Sequence, residues 1–68
     1  NPEVEEFRAA VATFLSEQDE PVTNKMVSEA LEVSSQKASS ALRALVDKGV
    51  AKVEGKGTKA DPKVFMIA

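Results

Sequence analysis

Seven of the nine basic residues, Lys37, Arg43, Lys48, Lys52, Lys56, Lys59 and Lys63, lie in residues 35–68, where Asp47, Glu54 and Asp61 are the only acids. Residues 1–34 are the reverse, with Arg8 and Lys25 against eight acids. The net charge of −2 therefore hides a −6 half and a +4 half. Cations sorted in this way suit contact with a polyanion. The side chains for bond-making chemistry are scarce. There is no histidine and no cysteine, which excludes disulfides, zinc sites built on those ligands, and catalysis through a His or Cys dyad or triad. Gly55-Lys56-Gly57 falls between two extended segments and not at a strand-to-helix turn, so it lacks the context of a phosphate-cradling P-loop. The residues point to a binding module that is not an enzyme and uses no metal or cofactor.

The elements that position these cations follow from periodicity. Val4, Phe7, Val11, Phe14 and Leu15 recur at spacings of three and four, which predicts a first helix over residues 3–17. Pro2 suits its first turn, and Glu3, Glu5 and Glu6 suit its dipole. Gln18-Asp19-Glu20-Pro21 reads as a turn, and Pro21-Val22 as a very short extended segment. Thr23 is the expected N-cap of a second helix over residues 24–31, with Met26, Val27, Ala30 and Leu31 inward. Ser34 caps a third helix over residues 35–48, whose inward stripe is Ala38, Ala41, Leu42, Leu45 and Val46. Gly49 suits the left-handed position that ends it. The period then changes to two. Residues 50–53 and 63–67 read as strands joined by a polar loop over residues 54–62. The expected core includes Met26, Leu31, Leu42, Leu45 and Phe65.

Sixty-eight residues make one α+β domain. A chain that opens at Asn1 almost directly in a helical pattern is expected to be a fragment of a longer protein. No apolar run approaches a membrane span of about 20 residues, and no signal peptide is visible. The expected location is cytoplasmic, on the nucleoid if the source is prokaryotic.

The string Thr23, Val27, Ala30, Leu31, Val33-Ser34, Ala38, Leu42, Leu45, Gly49-Val50, followed by a basic hairpin, resembles the winged helix-turn-helix superfamily over residues 23–67. The resemblance implies a three-helix domain with a two-stranded β-hairpin wing at residues 50–67. It implies a recognition helix in the major groove of double-stranded DNA. With the buried stripe as above, Ser35, Gln36, Ser39, Ser40 and Arg43 face outward, with Lys37 at the edge. Gln36 suits an adenine edge, Arg43 a guanine edge or a phosphate, and the serines either. Lys56 and Lys59 mark the wing tip, Lys52 and Lys63 flank it, and Thr23 with the first amides of the second helix could hold a phosphate. The implied role is DNA binding in transcription regulation or chromosome organisation. The segment from Asp61-Pro62 to Phe65 is also similar to the wing of domains that bind left-handed DNA. Those domains use an Asn and a Tyr on the helix where this chain has Ser39 and Arg43, so that property does not carry over.

A second function class is a protein-interaction winged helix inside a replication ATPase or helicase, favoured by the acidic pI of about 5.0. Homodimerisation through the first helix, or contact with other domains of a parent protein, belongs to either reading.

Overall fold

The computed structural model describes residues 2–68. The element order is α1 (Pro2–Ser16), β1 (Val22–Thr23), α2 (Asn24–Ala30), α3 (Ser35–Asp47), β2 (Ala51–Glu54) and β3 (Val64–Ile67). It is an α+β domain of three helices and one three-stranded antiparallel sheet in the order β1-β3-β2. The sheet corrects the expected two-stranded hairpin. Val22 and Thr23 pair with Phe65 and Val64, so β3 is central and not an edge. Pro21 has no N–H to give a ladder, and the strand begins one residue later than the extended segment expected at Pro21-Val22.

Both predicted N-caps are present. The Met26 amide donates to Thr23 Oγ1 at 3.2 Å, and the Lys37 amide to Ser34 Oγ at 3.1 Å. Both helix ends have the same closing geometry. After α3, the Gly49 amide donates to the Val46 carbonyl and the Val50 amide to that of Leu45, with Gly49 at φ +78°. After α2, Glu32 and Val33 donate to Glu29 and Ser28 in the same pattern, but the left-handed residue is Glu32, at φ +56°. An L-residue with a long side chain pays there for a conformation glycine adopts freely. Glu32→Gly is therefore expected to stabilise the domain by about 0.5–1 kcal/mol, after the greater freedom of glycine in the unfolded chain is deducted. Urea denaturation checks this, and a lower midpoint would show that the Glu32 side chain stabilises the turn.

Nine side chains form the core: Val11, Leu15, Val22, Val27, Ala38, Ala41, Leu42, Leu45 and Ala51. Phe7, Phe14, Leu31, Val46, Phe65 and Ile67 pack against it half-buried. Three inward expectations are corrected. Met26 is 50% exposed and Val4 42% exposed, and Ala30 is exposed as well. α2 has only two turns, and Val27, Ser28 and Leu31 set its inward face; Met26 lies about 100° around from Val27, beside Pro21 and Val22. Ser28 is buried in its place, with its hydroxyl donating to the Lys25 carbonyl at 2.9 Å. Val4 stays largely uncovered, in the lining of a groove that it shares with Lys37, Ser40 and Ala41 of α3.

A row of paired residues crosses the sheet from core to surface. Val22, 2% exposed, lies opposite Phe65, and Phe65 lies opposite Val53, which is 39% exposed. Side chains at directly opposed positions share one face. The helix-facing side of the sheet thus runs out from the core along β2 and ends as an apolar edge beside α3.

Candidate nucleic-acid interface

The exposed side of α3 and the outer part of the sheet enclose a groove of about 460 Å³, lined by Ser39, Arg43, Val46, Asp47, Val53, Lys63 and Phe65. Three predicted contact residues, Ser39, Arg43 and Lys63, meet here from two elements far apart in sequence. The groove exists because the inward stripe of α3 turns Ser39 and Arg43 outward while the alternation along β2 and β3 brings Val53 and Phe65 under them.

The loop beyond the groove has internal order. The amides of Lys56, Gly57 and Thr58 all lie within hydrogen-bonding distance of the Asp61 carbonyl, at 3.1, 2.9 and 3.2 Å. The Asp61 amide returns to the Thr58 carbonyl and hydroxyl. This holds the exposed Lys56 and Lys59 on a closed turn. The stem of Lys63 lies against Gly57, whose open side a Cβ would fill, 3.3 Å from Lys63 Cε.

The other predicted residues separate. Lys37 is exposed, but its ammonium sits 4.9 Å from the centre of the Phe7 ring on α1, a cation–π contact. Ser40 lies with it on the α1 side, in a second groove of about 260 Å³ that includes Phe7, Arg8 and Ala41. Lys52 alternates with Ala51 and Val53, so it leaves the sheet on the opposite face from the α3 groove. Gln36 is exposed in the first turn of α3. Ser35 is exposed too, and its carbonyl accepts from Asn24 Nδ2 at 3.1 Å, which ties the starts of α2 and α3 together. Thr23 is half-buried, with its hydroxyl oxygen engaged as the α2 cap.

Four groove residues were not anticipated as contacts: Val46, Asp47, Val53 and Phe65. Asp47 was legible in principle, since it continues the Ser39–Arg43 spacing by another four residues. Val46 was read as part of the inward stripe of α3 and is half-buried at the groove wall, whereas Val53 and Phe65 depend on strand register, which no local pattern reports.

Electrostatically the second half of the chain is uncompensated. Lys37, Arg43, Lys48, Lys52, Lys56, Lys59 and Lys63 are all exposed, and among the described residues none of them makes an ion pair. The Lys25–Glu29 pair at 3.9 Å lies on α2. Among the described residues no helix is long and apolar enough to cross a membrane. No protein-family model matches the chain, and no curated protein matches it significantly.

Proposed function

We propose that this domain is a winged helix-turn-helix that binds double-stranded DNA, with α3 as the recognition helix and the β2–β3 hairpin as the wing. One observation carries the reading. Among the described residues the seven exposed cations between Lys37 and Lys63 make no ion pair, and two of them, Arg43 and Lys63, line one groove. Intramolecular ion pairing would leave such a set neutral, whereas a phosphate backbone supplies what it lacks. In this reading Arg43 and Ser39 meet the major-groove edge, Gln36 leads the helix in, and Lys56, Lys59 and Lys63 hold the backbone along the wing. Transcription regulation or chromosome organisation is the setting proposed for such a module. The acids of α1 and of the turn at Asp19-Glu20 would keep DNA off the other side.

Arg43→Ala is expected to weaken binding to a labelled duplex by about 1–3 kcal/mol while leaving the melting temperature nearly unchanged, because the side chain is exposed on a helix that alanine favours. Lys56→Ala combined with Lys59→Ala is expected to lower the slope of log affinity against log salt by about 2. Fluorescence anisotropy reads both, and wild-type affinity in both variants would remove this surface from consideration.

A protein-interaction role is favoured by a different feature. Met26, 50% exposed, shares a shallow cleft with Gln18, Asp19, Glu20 and Pro21 on the acidic side. That role gains ground only if the duplex does not bind.

A further inference from the structure

Asp47 is misplaced for stability and for phosphate binding. It is the last residue of α3, where a carboxylate meets the negative end of the helix dipole. It follows Arg43 by four residues, the weaker order for a helical acid–base pair. It makes no ion pair among the described residues, although it shares a groove with both Arg43 and Lys63. An exposed acid that lines the same groove as Arg43 and Lys63 repels a backbone phosphate. Local rules broken together at one surface position point to a function.

We propose that Asp47 is a specificity-determining residue that accepts a hydrogen bond from the exocyclic amine of cytosine, with Arg43 on a guanine of the same or the next pair. The inference rests on the DNA-binding reading above and deepens it. A carboxylate can only accept. In the major groove guanine offers N7 and O6 and thymine offers O4, all acceptors that repel it. Adenine offers its N6 amine, but beside the acceptor N7. Across the base pair adenine N6 is flanked by N7 and by thymine O4, whereas the cytosine N4 amine has an acceptor, the paired guanine O6, on one side only. Beside the amine lies the C5–H edge of cytosine, which is apolar, and beside Asp47 the groove wall is apolar: Val46, Val53 and Phe65. The groove therefore pairs an acceptor with an apolar wall, as cytosine pairs a donor with an apolar edge. Spacing is compatible as well. Arg43 and Asp47 are about 6 Å apart along the helix axis, under two base-pair steps of about 3.4 Å. The acid acts by exclusion as much as by attraction, since it penalises every edge that presents an acceptor.

The test uses three labelled, mixed-sequence duplexes of equal length without A-tracts: all G·C, all A·T, and all inosine·cytosine. The last keeps the major-groove edge of G·C and the minor-groove edge of A·T. The wild-type chain is expected to bind the G·C and inosine·cytosine duplexes about tenfold more tightly than the A·T duplex. Asp47→Asn is expected to bind the A·T duplex about fivefold more tightly than wild type and to keep less than about threefold preference. Its melting temperature should not fall, because the residue is exposed and the lost charge was unfavourable at the helix end. Equal wild-type affinities, inosine·cytosine behaving like A·T, or an undiminished preference in Asp47→Asn would each overturn the inference and leave the DNA-binding reading standing. Failure to bind any of the three duplexes would overturn both.

Discussion

Leu42→Ala is expected to lower folding stability by about 2–5 kcal/mol. Leu42 is fully buried and is among the three largest fully buried side chains, with Val11 and Val27. It belongs to the helix that touches every other layer: α3 packs against α1, α2 and β2. Truncation loses the transfer free energy of the removed atoms and leaves a cavity that the helices can close only by moving together. A domain of 68 residues has a total stability of about 3–10 kcal/mol. The substitution would therefore leave a substantial unfolded population near physiological temperature. Chemical denaturation followed by circular dichroism checks it. A loss below about 1 kcal/mol would mean that α3 is not seated in the core as described. The contrast with the adjacent Arg43→Ala is the informative part, because one position should move stability and the other binding.

Gly55→Ala should damage the hairpin without touching the core. Gly55 sits at φ +99°, and a Cβ there would run into the carbonyl oxygen of Pro62. That neighbour is backbone and cannot rotate aside, so the turn itself must open. The left-handed conformation costs about 1–3 kcal/mol for alanine, and the collision adds to it. Opening the turn also breaks the convergence of the Lys56, Gly57 and Thr58 amides on Asp61. The melting temperature is expected to fall by about 4–8 °C for each kcal/mol lost. Amide exchange at Lys56, Gly57 and Thr58 is expected to accelerate far more than exchange in α3. Affinity for duplex DNA should drop about tenfold, as Lys56 and Lys59 lose their fixed placement. Wild-type exchange rates in the loop would show that the turn tolerates a side chain at residue 55.

What the sequence disclosed follows from how local each signal is. α1 and α3 were legible because their inward stripes span several turns, and Ser34 and Gly49 punctuate the ends of α3, as Thr23 does the start of α2, with recognisable chemistry. The third strand was legible only as a short extended segment at Pro21-Val22, since two residues carry no period and its place in the sheet comes from pairing with β3. Met26 was misread because a helix of seven residues has too few turns to define its inward face by spacing alone. The candidate site divides in the same way. The outward set on α3 followed from the buried stripe. The partition that sends Lys37 onto Phe7, Lys52 to the far face of the sheet and Lys63 into the groove depends on tertiary packing and register. Val53 and Phe65 entered the groove by the same cross-strand route.

The central claim, that the uncompensated cations of α3 and the hairpin bind a phosphate backbone, is tested most directly by titrating this domain into a labelled random-sequence duplex at several salt concentrations. With four to six phosphates neutralised, log affinity should fall against log salt with a slope of about −4 to −5. No binding at low salt, or binding with a slope near zero, would contradict the account.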